Sequence, residues 1–136
     1  LGVKEEKIEL GAFSFEGEQQ WARPLPITYD EDGDYHPPVL TADGRIAIAG
    51  GIFVHLFTVD GEPSGRIETG GLGVDDVTAL SDASLLVTAG SVLFHFDKSG
   101  DEQFSLDFET PLRTPPVIDE QGRVYVGTTN EIIQIK

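Results

Sequence analysis

The sequence contains no cysteine and no methionine, and it has few basic residues. Without cysteine, neither disulfide bonds nor thiolate metal sites are available to the chain. Because the chain begins at Leu1 and has no methionine at any position, we expect it to be an internal or trimmed piece of a longer protein. No apolar run approaches the length of a membrane-spanning helix, so we expect no direct insertion into a membrane.

The charge balance of the chain is strongly acidic. There are 24 Asp and Glu residues against 9 Lys and Arg, a formal net charge of −15. Such a charge argues against nucleic acid and anionic membrane surfaces as partners, and it favours a basic partner or a cation. The alternative is that the excess acid keeps a β-rich surface soluble and protects the edges of its sheets.

The stretch Asp76–Phe108 predicts four strands. It contains four short apolar runs, which are VTAL, SLLVTA, VLFHF and QFSLDF. Each run is rich in β-branched or aromatic residues and is flanked by turn formers. Four antiparallel strands in one meander form a small sheet that cannot bury both of its faces alone, so neighbouring sheets of the same kind are expected.

Similar stretches precede and follow this one. Alignment places Leu80 on Leu40, an offset of 40, and on Ile118, an offset of 38. Periods near forty residues are typical of propeller blades. We therefore predict an all-β fold, a fragment of a β-propeller made of four-stranded antiparallel blades, with about three blade-equivalents. The predicted divisions are the end of one blade at 8–25, full blades at 37–70 and 76–108, and an incomplete blade at 115–136.

One smaller prediction concerns the end of an individual strand. The strand that begins at Gln19 is expected to end at Leu25, because the flanking prolines Pro24 and Pro26 cannot donate hydrogen bonds to a ladder.

Histidines are predicted to have a structural role. Alignment of the third strands with one another puts Ser14, His55, His95 and Gln134 in one column, flanked by apolar residues. A column that is polar in every repeat is typical of hydrogen bonding between blades, because a metal site needs ligands that converge.

The turn between the third and fourth strands is followed by an aromatic residue in two of the copies. Gly17 precedes Trp21 by four residues, and Gly100 precedes Phe104 by four, whereas the middle copy has no aromatic there. Together with GRVYVGT at residues 122–128, this pattern resembles the PQQ-like (pyrroloquinoline-quinone-type) repeat. The resemblance implies a propeller scaffold in which Trp21 and Phe104 pack between blades.

The resemblance implies a function as well. Its non-catalytic branch, which includes the propeller lipoprotein of bacterial outer-membrane assembly, implies a scaffold that binds a protein or peptide, in the periplasm or outside the cell. The alternative is a propeller domain of a quinone- or calcium-dependent enzyme or sensor, whose remaining blades are missing from this chain. Because the cysteines of the quinone enzymes are absent, we predict that the chain is not an enzyme and has no cofactor. Self-association, or a second fragment, could complete the propeller.

The longest insertion, residues 29–35, is also the most acidic stretch. Its acids alternate around Gly33, as in calcium loops, but no Glu closes a twelve-residue loop. The alternative is a solvated acidic loop. The candidate calcium ligands are Asp30, Asp32 and Asp34, and the predicted binding-loop residues are Tyr29, Glu31 and Tyr35.

Overall fold

A computed structural model describes residues 7–28, 36–128 and 132–135 of the chain. These residues form antiparallel β-sheets, which confirms the all-β prediction. None of the described segments forms a helix long and apolar enough to cross a membrane.

The strands form four sheets, numbered here in chain order. Sheet 1 pairs β1 (Lys7–Phe13) with β2 (Gln19–Thr28). Sheet 2 contains β3 (Val39–Leu40), β4 (Ile46–Gly50), β5 (Phe53–Phe57) and β6 (Pro63–Glu68). Sheet 3 contains β7 (Asp76–Ala79), β8 (Leu85–Ala89), β9 (Val92–Phe96) and β10 (Glu102–Asp107). Sheet 4 contains β11 (Val117–Ile118), β12 (Val124–Gly127) and β13 (Ile132–Ile135). In sheets 2 and 3 consecutive strands are neighbours, so both are the four-stranded meanders that the sequence predicts.

The core lies between successive sheets, and sheet 2 contributes to two of its layers. Ile48 and Phe57 pack with Leu10 of sheet 1. The adjacent residue Ala47 faces the other way and packs in a cluster with Val87 of sheet 3. Because successive side chains of a strand point to opposite faces, one short apolar strand supplies both layers.

Sheet 3 repeats this arrangement one step further along the chain. Val87 packs towards sheet 2, whereas Leu86 and Leu93 form a separate cluster with Val126 of sheet 4. Each full sheet is therefore buried between the sheet that precedes it and the sheet that follows it. This explains why β8 is buried along its whole length.

Equivalent turns show that the repeat is 39 residues long. Gly44, Ala83 and Gly122 occupy the same place in the turn between the first and second strands, 39 residues apart from 44 to 83 and from 83 to 122. All three have a positive φ, of 83°, 69° and 81°. The predicted offsets of 40 and 38 are therefore wrong by one residue, in opposite directions. The middle turn has alanine where the others have glycine, which hides the match.

The corrected register separates the two strand histidines. His95 and Gln134 occupy the same position, but His55 is equivalent to Phe94. Ser14 lies in the turn after β1 and not in a third strand. The predicted single column is therefore wrong, because a shift of one residue moves a side chain to the other face of a sheet.

Strand β2 continues past the prolines that were expected to end it. It runs through Pro24 and Pro26 to Thr28, so the predicted end at Leu25 is wrong. Strand β2 is an edge strand of a two-stranded sheet, where a missing N–H donor need not break a ladder. The register also shifts between Lys7 and Glu9 of β1, opposite these prolines.

The two predicted interface aromatics have different surroundings. Trp21 packs against the turn at Gly61, between sheets 1 and 2. Phe104 is 36% exposed, and its ring contacts His95 of its own sheet at a centroid distance of 5.3 Å. Among the described residues sheet 4 has three strands and no turn equivalent to that at Gly61, so the packing of Phe104 between sheets stays a prediction.

Candidate binding cleft at the first strands

A cleft lies where the first strands of neighbouring sheets meet. Strand β3 contacts β7, and the segment before β11 reaches the same place. The cleft has a volume of about 180 Å³, and we call it the first-strand cleft. Its apolar lining is Pro37, Val39, Ala49, Val77 and Pro115, and its polar lining is His36 and Asp76.

Two equivalent backbone hydrogen bonds position the chain around the cleft. The N–H of His36 donates to the carbonyl oxygen of Ala49 at 3.0 Å, and the N–H of Asp75 donates to that of Thr88 at 2.8 Å. Each bond holds the segment that enters a first strand against the second strand of its own sheet. The residue that follows each donor, including Asp76, is thereby placed at the cleft.

The carboxyl group of Asp76 lies in surroundings that disfavour its charge. Burial raises its pKa, the neighbouring imidazole of His36 lowers it, and the like charge of Asp75 raises it, with a net increase above 3.8. The Asp75 carboxylate serves its own loop, where Oδ2 accepts a hydrogen bond from the N–H of Gly90 at 2.8 Å. A partly buried carboxylate of this kind is stabilised by a cation that reaches it.

The structure brings together Ser84, His95 and Asp82, which the sequence analysis did not single out as a group. Ser84 Oγ lies 3.0 Å from His95 Nε2 and donates a short hydrogen bond to Asp82 Oδ1. A catalytic triad differs, because its carboxylate bonds to the histidine and not to the serine. Ser84 is also buried, so a substrate could not reach its hydroxyl without movement of the sheet.

The hydrogen bonds between Ser84 and the Asp82 carboxylate have a local structural role. Asp82 Oδ1 also accepts a hydrogen bond from the N–H of Ser84 at 3.0 Å. The side-chain hydrogen bond from Ser84 and, to a smaller extent, the bond from its backbone N–H lower the pKa of Asp82. The carboxylate therefore closes the turn around Ala83, in place of the glycine that the neighbouring repeats have.

Within residues 7–28, 36–128 and 132–135, no group of three or more His, Asp or Glu side chains is arranged to hold a metal ion. The candidate calcium ligands Asp30, Asp32 and Asp34 and the binding-loop residues Tyr29, Glu31 and Tyr35 all lie outside the described residues.

Two larger cavities are lined by residues without acidic or basic side chains. One, of about 230 Å³, lies between sheets 1 and 2 and includes Leu10, Trp21 and Leu40. The other, of about 290 Å³, lies on sheet 4 and includes Val117 and Ile132. The first-strand cleft is the better candidate for specific recognition, because binding sites combine apolar walls with a few convergent polar groups.

Sequence reasoning did not identify the residues of the first-strand cleft, although a signal was present. With an offset of 39, Asp76 occupies the position of Pro37 and Pro115. A carboxylate where both other copies have proline is a departure from the repeat that the fold itself does not require. The incorrect offsets of 40 and 38 concealed it.

Comparisons with known proteins give the fold but no function. No family model matches the chain, and no curated protein matches it. A crystal structure of a protein of unknown function from Bacteroides caccae is similar, with a TM-score of 0.68 and 20% sequence identity over 95% of this chain. The match covers 54% of that protein, so this chain spans about half of its length. At this level of identity the likeness shows a shared fold alone.

Proposed function

We propose that the chain is part of a β-propeller of PQQ-like repeats and acts as a non-catalytic scaffold that binds a protein or peptide. The observation that supports the proposal is the 39-residue register, in which sheets 2 and 3 each pack one face on the preceding sheet and the other on the following sheet. Propellers are built from four-stranded sheets repeated in this way around an axis.

The position of the first strands supports the same proposal. In a propeller the first strand of each blade lies nearest the axis, and β3 and β7 are neighbours here, as that arrangement requires. The first-strand cleft then opens towards the axis. A rigid scaffold that presents clefts and loops at one place is a common basis for recognition.

The charge of the chain supports a basic partner. The net charge is −15, and two adjacent carboxylates, Asp75 and Asp76, lie at or beside the cleft. Complementary charge increases the rate of association and suppresses binding of partners with like charge. We therefore place the partner's contact at the first-strand cleft.

The test is a selection of peptides from a random display library with the 136-residue chain as bait, followed by NMR titration of the selected peptides. We expect chemical-shift changes centred on the first-strand cleft. A Val77→Phe variant, which narrows the cleft, should weaken binding, whereas Val59→Phe at an exposed turn should leave binding unchanged. Circular dichroism checks that both variants are folded.

Two outcomes would overturn the proposal. The first is that no peptide is enriched above the level for an unrelated acidic β-protein. The second is that the selected peptides bind the Val77→Phe and Val59→Phe variants equally, with shift changes away from the cleft.

A further inference from the structure

The position of Asp76 in the repeat indicates a role beyond the fold. The equivalent residues Pro37 and Pro115 show that the start of a first strand needs no polar side chain there. The hydrogen bond that holds the adjoining loop comes from Asp75, whose Oδ2 accepts from Gly90. No hydrogen bond to the Asp76 carboxylate is found among the residues that the structure describes. The imidazole of His36 is a favourable electrostatic neighbour of this carboxylate, but no hydrogen bond from a described residue accounts for the presence of the carboxylate in the cleft.

The size of the cleft limits what it can hold. Its volume is about 180 Å³, whereas pockets for drug-sized molecules and cofactors are roughly 300–1,000 Å³. A single long side chain fits this space better than a whole small molecule. The walls at Val39, Val77 and Pro115 are apolar and suit an alkyl chain.

The carboxylates at the cleft favour a cationic group at the end of that side chain. Asp76 lies inside the cleft and Asp75 beside it, so an anionic group would be repelled. Among the described residues, Asp76 forms no ion pair with Lys or Arg. A partly buried carboxylate that no lysine or arginine pairs is costly, and a cation that reaches it with hydrogen bonds offsets that cost.

We propose that the first-strand cleft binds one lysine or arginine side chain of a protein partner, with the Asp76 carboxylate accepting hydrogen bonds from its cationic group. The alkyl part of the side chain packs between Val39, Val77 and Pro115. This inference rests on the proposed function, since it names the chemistry by which the scaffold would recognise its partner. Lys and Arg both combine a long apolar stem with a charged end, as the cleft requires.

The test uses NMR titration of the 136-residue chain at pH 7.5 with three capped pentapeptides, Gly-Gly-X-Gly-Gly. In these X is arginine, lysine or citrulline, which has the shape of arginine without its charge. We expect the arginine or lysine peptide to bind with a dissociation constant of about 1 mM, which is ordinary for one contact. The citrulline peptide should bind at least tenfold more weakly.

A matched pair of variants separates the site from the overall charge. Asp76→Asn keeps the shape of the side chain and removes its charge, and it should weaken binding of the cationic peptides about tenfold. Asp60→Asn removes the same charge from an exposed turn and should change binding less than twofold. Both variants are checked for native chemical-shift dispersion before titration.

Several results would overturn the inference. Equal binding to the wild type and Asp76→Asn would show that the carboxylate is not the recognition group. Equal binding of the citrulline and arginine peptides would show that the positive charge does not contribute to binding. If peptides from the display selection bind the cleft but the cationic pentapeptides do not, this inference fails and the proposed function stands. If no peptide of either set binds, both fail.

Discussion

The indole N–H of Trp21 donates a hydrogen bond to the carbonyl oxygen of Val59 at 3.0 Å, and this bond joins sheet 1 to sheet 2. The equivalent carbonyl one repeat later belongs to Lys98, and it accepts a hydrogen bond from Nη2 of Arg45 at 2.8 Å. Sheet 2 has Gly65 where sheet 1 has Trp21, so no aromatic side chain is available there. Equivalent carbonyl oxygens are therefore satisfied by different donors at these two contacts between sheets.

The Trp21 bond makes a measurable prediction. Trp21→Phe retains an aromatic ring at the contact but removes the N–H donor, so we expect a loss of about 1 kcal/mol in the free energy of unfolding. Trp21→Ala should cost more, because it also removes the ring that packs on Gly61. Urea unfolding followed by circular dichroism measures both. Equal midpoints for the wild type and Trp21→Phe would contradict a stabilising role for the hydrogen bond.

Gly61 and Gly44 form a matched pair for the packing between sheets. Both have a positive φ, of 84° and 83°, so alanine should cost about 1–2 kcal/mol in backbone strain at either position. A Cβ at Gly61 would lie 2.7 Å from Arg23 Cγ and 2.8 Å from Trp21 Cζ3, whereas a Cβ at Gly44 would meet nothing within 4 Å. Gly61→Ala should therefore be the more destabilising by about 1–3 kcal/mol.

The measurement is chemical denaturation of the two variants side by side. Gly73→Ala is the neutral reference, since its φ is not in the left-handed region and its Cβ would also meet nothing. If Gly44→Ala and Gly61→Ala lose the same stability, the contact between the Gly61 turn and Trp21 does not contribute.

Phe94 and Phe15 test the assignment of the core. Phe94 is 7% exposed in the cluster between sheets 2 and 3, so Phe94→Ala should cost about 3–5 kcal/mol. Phe15 is fully exposed in a turn, so Phe15→Ala should stay within about 0.5 kcal/mol of the wild type. Thermal melts rank the two variants. The opposite ranking would mean that the core is not where the structure places it.

Asp119 should make stability depend on pH under acid conditions. Burial alone would raise its pKa, but hydrogen bonds from the backbone and side chain of Arg123 and from the hydroxyl of Tyr125 lower it from 3.8 to about 2. A carboxyl group whose folded-state pKa is depressed adds stability above its unfolded pKa, and that stability is lost as the pH falls through its folded pKa. We therefore expect the contribution to be complete above about pH 4 and to disappear towards pH 2.

The check is urea unfolding of the wild type and Asp119→Asn at pH 6 and at pH 2. The difference in stability between the two proteins should be present at pH 6 and nearly absent at pH 2. Asp60→Asn, in an exposed turn, controls for the loss of one carboxylate. A difference between wild type and Asp119→Asn that is unchanged at pH 2 would show that the Asp119 hydrogen bonds do not depend on its charge.

The fold class was predictable because its signals are local. Short apolar runs of strand length, separated by turns with Gly at 44, 61 and 100, predicted the four-stranded meanders without knowledge of any tertiary contact. The repeat length was less secure. Ala83 takes the left-handed conformation that glycine takes in the neighbouring turns, because the hydrogen bonds of that turn hold it there. An alignment by residue type therefore does not match Ala83 with Gly44 and Gly122, although all three have the same backbone conformation.

The candidate site was not predictable to the same degree. The acidic residues at 30–34 attracted attention because charge density is visible in a sequence, and those residues lie outside the described part of the chain. Asp76 is a single carboxylate at the start of a strand, and nothing in its immediate neighbours sets it apart. Its interest appears only when it is compared with Pro37 and Pro115 in the correct register.

The sequence by itself determined the strands, their antiparallel order and the approximate spacing of the repeat, because these depend on the period of apolar residues and on turn chemistry. Only the tertiary structure decided which face each strand presents to which neighbour, since a shift of one residue inverts every side chain of a strand. For this reason His55 and His95 share a column when the strands are aligned by residue type, but they lie on opposite faces of their sheets in the structure. The cleft at Asp76 also belongs to the tertiary structure, because its walls come from residues 36–49, 76–77 and 115, which are far apart in the chain.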